Sequence, residues 1–119
     1  MLFRSANSLS SLAAGTRKPA GAKAWAKVFI MQKYGWGPDQ YACLVKLWTR
    51  ESNWRYQAKN KSSGAYGIPQ ALPGKRMAMF GKDWLNDPTI QMTWGAHYIE
   101  RRYDTPCGAW AAFQRKGWY

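Results

Sequence analysis

The stretch Pro38-Asp39-Gln40-Tyr41-Ala42-Cys43-Leu44-Val45-Lys46-Leu47-Trp48-Thr49-Arg50-Glu51 decides the fold class. Proline suits the first turn of a helix, and Asp39 beside it meets the positive end of the helix dipole. Tyr41, Leu44, Val45 and Trp48 recur at i, i+3, i+4 and i+7, a single apolar stripe that predicts an amphipathic helix. On the helical wheel Glu51 falls within about 20° of Leu44 and about 60° of Trp48. A carboxylate that closes an apolar stripe is partly desolvated, and a helix C-terminus disfavours its charge. Both effects raise its pKa, toward the protonated form that a general acid needs near neutral pH. A surface ion pair with Arg50 or Arg55 is the alternative reading of the same carboxylate.

Working outward, a helix is expected from Ala22 to Tyr34, with Trp25, Val28, Phe29 and Gln32 along one side and Gly35 and Gly37 stopping it. After Glu51 the run SNWRYQAKNKSSGAYGIPQALPGK has no helical stripe and is rich in Gly, Pro, Ser and Asn. It reads as an ordered loop, with a small hairpin around Gly64 to Gln70. A short helix is expected over Lys75 to Phe80. Asp87 and Pro88 then read as cap and first position of another helix, with Ile90, Trp94, Tyr98 and Arg101 in register. Pro106 and Cys107 open a last one, running to about Gln114. Residues 1–21, rich in Ser, Ala and Gly and free of acids, read as a flexible basic leader or linker. The domain is then 22–119, mainly α, with a loop-rich insertion.

The chain of 119 residues is enough for one ordinary domain, and 46% hydrophobic residues can supply its core. Its apolar runs are only a few residues long, against the ~20 a membrane-spanning helix needs. Eighteen basic residues face six acids, a net charge of +12. Such self-repulsion points to a polyanionic partner: nucleic acid, an anionic membrane surface or an acidic wall polymer. Eight Trp, seven Tyr and four Phe are more rings than a small core hides, and exposed rings suit stacking on sugars or bases. Cys43 and Cys107, if bridged, would close a loop of about 64 residues, a staple of roughly 4 kcal/mol typical outside the cytosol. Two unrelated buried thiols are the other possibility.

The remaining acids are Asp39, Asp83, Asp87, Glu100 and Asp104, and none occurs between Ser52 and Lys82. The loop following Glu51 therefore offers no second carboxylate, which a two-carboxylate glycosidase would require. His97 is the only histidine, so clusters built on several histidines are excluded, and no metal or cofactor is called for. No serine stands in a nucleophile-elbow context, and Gly64-Ala65-Tyr66-Gly67 lacks the lysine of a phosphate loop.

Trp48-Thr49-Arg50-Glu51-Ser52-Asn53-Trp54, followed by Ser63-Gly64-Ala65-Tyr66-Gly67-Ile68-Pro69-Gln70, resembles the lytic transglycosylase family with the lysozyme-like fold. Trp94-Gly95-Ala96-His97-Tyr98-Ile99 is similar to that family's Gly-x-x-Tyr-Leu helix. The flanks at Cys43-Leu44 and at Pro106-Cys107-Gly108-Ala109-Trp110 look like its short actinobacterial and phage members. The resemblance spans about residues 23 to 119.

It implies cleavage of the β-1,4 bond between N-acetylmuramic acid and N-acetylglucosamine in peptidoglycan. Glu51 would protonate the glycosidic oxygen, then act as base on the muramyl 6-hydroxyl, closing a 1,6-anhydro ring with the 2-acetamido group assisting. By the same match Gln70 would bind the sugar backbone, with Tyr66, Ser62 and Ser63 lining the cleft. Phe113 and Gln114 would stand where the family has Tyr and Asn, and Pro69 where it has Met. The partners implied are peptidoglycan strands and anionic wall polymers, met outside the cell by a monomer delivered by secretion or by phage. Two rivals remain. One is an inverting muramidase in which Asp83 or Asp104 reaches the cleft; the other is a non-catalytic cationic module binding peptidoglycan or nucleic acid.

Overall fold

In the computed structural model, which describes residues 9–119, a helical turn at 9–13, four longer α-helices and a 3₁₀ helix surround an aromatic core. Helix α1 is Pro19–Tyr34, α2 Pro38–Ser52, α3 Pro88–Tyr103 and α4 Pro106–Lys116, and the 3₁₀ helix is Gly74–Phe80. Each α-helix opens on a proline, whose missing N–H and fixed φ suit that position. Asp87 caps α3 by accepting from Thr89 N, and Thr105 caps α4 by accepting from Gly108 N. Gly35 ends α1 at φ 71° and Gly117 ends α4 at φ 83°, both in the left-handed region.

The leader expected over 1–21 is corrected where it is described. Residues 1–8 lie outside the described part, but 9–13 form a helical turn and α1 already begins at Pro19. Leu9 and Leu12, three apart, place two apolar side chains on one face, and both pack on the core. The Ser- and Ala-rich average had hidden that pair. Thr16 is buried and donates to Ala13 O at 2.8 Å. A Cβ on Gly21 would lie 1.9 Å from Gly15 O, so this glycine marks a crossing of the chain rather than a linker.

The main core joins α1 (Trp25, Ala26, Ile30), α2 (Leu44, Leu47, Trp48), Trp54, Ile68 and the inner face of α3 (Met92, Ala96, Ile99). A smaller cluster of Ala71, Met77 and Trp94 lies beneath the 3₁₀ helix. Helix α3 therefore has two buried faces. Of the register Ile90, Trp94, Tyr98, Arg101, the middle pair Trp94 and Tyr98 line a cavity on its second side, and the main core takes Met92, Ala96 and Ile99 instead. The small hairpin expected near Gly64 is reduced to two isolated antiparallel bridges, Lys59 with Tyr66 and Tyr66 with Ala71. No helix among the described residues is long and apolar enough to cross a membrane.

The two cysteines form a disulfide that joins α2 to the start of α4. Where α3 meets α2, a Cβ on Gly95 would lie 2.6 Å from Trp48 Cζ2 and 2.9 Å from Pro69 Cβ. Neither the indole nor the proline ring has a free rotamer to retreat into. Gly95→Ala is expected to cost about 2 kcal/mol by overpacking, lowering the melting temperature by roughly 8 °C. An unchanged melting curve would show that α2 and α3 part easily here.

Candidate functional site

Glu51 lies in the last turn of α2, where the chain reverses sharply. Asn53 and Trp54 hold φ of 54° and 61°, two consecutive left-handed residues. For a tryptophan that backbone is uncommon, and packing compensates for it. The Trp54 ring is buried edge-on against Trp48 at 5.1 Å, and its Nε1 donates to Val45 O at 3.3 Å. Ser52, also buried, donates from Oγ to Ile68 O at 2.7 Å and accepts from Trp54 N at 3.1 Å. The residue after the acid thus fastens the end of α2 to the returning loop.

That loop is held from α3 by Gln91, a fully buried side chain whose oxygen and nitrogen both have partners. Its Oε1 accepts from Ile68 N at 2.9 Å, while Nε2 donates to Tyr56 O and Trp84 O at 3.0 and 2.9 Å. Gly67, at φ 82°, leaves room for it, since a Cβ there would lie 2.6 Å from Gln91 Oε1. Gln70 adopts φ 55° and donates from Nε2 to Ala58 O and Gly67 O, both at 3.0 Å. Two carbonyl partners commit its nitrogen and turn its oxygen into the free acceptor. Asn60 organises the opposite lip, its Oδ1 accepting from Ser62 N at 2.9 Å and Ser63 N at 3.0 Å.

Two cavities meet at the acid. One, of about 460 Å³, is lined by Glu51, Asn60, Gln70, Tyr98, Trp118 and Tyr119 among others. The second, of about 240 Å³, shares Glu51, Asn60 and Gln70 and continues past Arg50, Arg55 and Lys59. Together they form a groove with the carboxyl at its middle. Burial pushes the Glu51 pKa up from its ordinary 4.5 to about 7. The surface ion pair is set aside: Arg50 lies over the Phe113 ring at 5.4 Å, and Arg55 Nε donates to Ser52 O at 3.4 Å. Among the described residues, Glu51 is the only acid that lines either cavity. Asp83 borders a different hollow beside Arg17 and Asn86, and Asp104 is exposed at the end of α3.

The other expected site residues divide. Gln70 and Ser63 line the larger cavity; Ser62 is exposed and touches it only through the Asn60 turn. Tyr66 is not among the lining residues, because its hydroxyl donates to Leu85 O at 2.9 Å and its ring packs edge-on to Trp84. Phe113 and Gln114 are also outside both linings. Helix α4 buries the preceding Ala112, which rotates Phe113 toward Trp110 and Arg50 and leaves Gln114 exposed.

A phenol reaches the groove from elsewhere. Tyr119 donates to Pro69 O at 3.1 Å and accepts from Trp48 Nε1 at 2.9 Å, bridging α2 to the loop beside the acid. Burial and the nearby Glu51 hold its pKa well above the ordinary value, so it stays neutral. Tyr98, raised first by burial, stacks on Trp94 at 5.1 Å and donates to Tyr119 O at 3.3 Å. Asn60, Gln91 and Tyr119 carry no local sequence signal, since an Asn in a loop, a Gln in a helix and a Tyr after Gly117 are ordinary.

Comparison with protein-family models, with curated proteins and with solved structures returns no match for this chain.

Proposed function

We propose that this chain is a lytic transglycosylase of lysozyme-like fold that cleaves the muramyl β-1,4 bond of peptidoglycan. The observation that carries the reading is a single half-buried carboxyl, with pKa about 7, at the middle of a groove that no other acid among the described residues lines. A sugar chain laid along the groove has residues on both sides of Glu51, as cleavage within a polymer requires. Protonated, Glu51 donates to the glycosidic oxygen while the 2-acetamido oxygen attacks the anomeric carbon. The carboxylate then removes the proton of the muramyl 6-hydroxyl, which displaces the acetamido oxygen and closes the anhydro ring. One group serves as acid and then as base, and no second carboxylate is needed.

Gln70 Oε1 is the acceptor offered to sugar hydroxyls, since its nitrogen is committed to the loop. Trp118, half exposed at the rim, offers a ring face for stacking on a sugar. In this reading Tyr119 supplies beside Glu51 the phenol that Phe113 lacks. The disulfide suits work outside the cytosol, and the net charge of +12 suits an anionic wall, where salt would weaken binding by screening.

Mass spectrometry of the products released from purified peptidoglycan tests the chemistry. Fragments one water lighter than hydrolysed ones are expected, the mass of an anhydro end. Fragments of ordinary reducing-end mass would instead make the protein a muramidase, with a water positioned by groups other than Asp83 and Asp104.

A further inference from the structure

The larger cavity does not end at the sugar groove. It shares Arg76, Trp94 and Tyr98 with a further hollow of about 560 Å³, which runs on past Met79, His97 and Arg101 between the 3₁₀ helix and α3. The Arg76 guanidinium lies over the faces of Trp94 and Tyr98, at 5.2 and 5.5 Å. Both rings belong to buried or half-buried residues, so the cation is held in place from below while its N–H edges stay available. Arg101 stands farther along the same hollow, and Arg102 lines the cavity behind it. Apart from Glu51 in the groove, no acid among the described residues lines either space. Glu100 faces the other way, its charge acting on Tyr34 of α1.

Resting on the reading above, we propose that this hollow is a subsite for the carboxylate-bearing peptide carried by the glycan. The chemistry of the lining selects the ligand. The Arg76 guanidinium on its aromatic bed, with Arg101 lining the same hollow, matches a short peptide with free carboxylates, which arginine forks bind through paired N–H donors. The hollow borders the sugar groove, with Arg76, Trp94 and Tyr98 lining both, so an anion attached to a bound sugar lies next to it. A free polyanion would meet the exposed lysines and arginines equally well elsewhere on a surface of this charge.

The test uses the full chain with Glu51→Gln, so that complexes are not consumed. Calorimetry compares a peptidoglycan tetrasaccharide bearing its peptides with the same tetrasaccharide after an amidase has removed them. The peptide-bearing ligand is expected to bind about tenfold more tightly, and added Arg101→Gln is expected to shrink that ratio to about twofold. Arg101 is exposed and lies outside the groove around Glu51, so affinity for the stripped sugar should not move. Equal affinities for the two ligands would overturn the subsite and leave the sugar-groove reading standing. Failure of both ligands to bind would overturn the groove reading and the subsite together. Equal affinities with poly(glycerol phosphate) competing against both would overturn the peptide in favour of a phosphate polymer.

Discussion

Glu51→Gln leaves a folded protein whose release of fragments from peptidoglycan falls by at least about a thousandfold. Proton transfer by one positioned group contributes about 10²- to 10⁴-fold, and here the same carboxyl is used at both steps. The wild-type profile carries the same signature. With a pKa of about 7 and the protonated form required at the first step, kcat/KM is flat below pH 7 and falls tenfold per unit above it.

Stability also declines with rising pH, over a lower window. Between pH 4.5 and about 7 the folded state keeps a proton on Glu51 that the unfolded chain has released. The native state then binds more protons, so stability declines as pH rises through that window and levels off above it. The neutral amide of the Glu51→Gln variant has no such titration. The variant should therefore be more stable than wild type at pH 8, by about 1 to 2 kcal/mol once solvent access to a half-buried group is allowed for. At pH 4 the two should melt together. An inactive variant that is also the more stable one separates lost chemistry from lost structure. Wild-type protein that binds walls but releases nothing, with the variant binding equally, would instead make this a cationic binding module.

What could be read from residues alone followed from local rules. Proline at the starts of α2, α3 and α4, Gly35 after α1 and the stripe ahead of Glu51 are short-range patterns that place those helix ends. By contrast, α1 begins three residues before the expected Ala22, at Pro19, and α4 runs on to Lys116. The desolvated carboxyl followed from the same wheel, although burial rather than the helix end is what raises it. The misreadings arise where an element has more than one buried neighbour. Helix α3 is apolar on two sides, and a single stripe captured only the one facing the groove. Tyr66 and Phe113 were placed by position in a motif, whereas Trp84, Leu85 and Trp110 decide where their rings go. Tyr119 reaches the acid only because Gly117 turns the chain back after α4, a long-range outcome with no periodic trace.

Removing the bridge, by Cys43→Ser with Cys107→Ser, is the second large effect and falls on stability rather than chemistry. The bridge closes a loop of 64 residues, for which chain entropy gives about 4 kcal/mol. In a chain of 119 residues that loss lowers the melting temperature by roughly 15 °C. The native joint does not depend on the sulfurs alone, because Gln40 Oε1 accepts from Cys107 N at 2.9 Å across the same contact between α2 and α4. Most of the loss therefore comes from freeing the unfolded chain. The double variant should cleave peptidoglycan within about twofold of wild type at about 15 °C and lose activity well before wild type on warming. Reductant should bring wild type to the variant's melting temperature and leave the variant where it is. A wild-type curve indifferent to reductant would mean that the helices hold this joint unaided. With the dependence in place, reducing conditions would leave the fold to manage on a core that small domains barely supply.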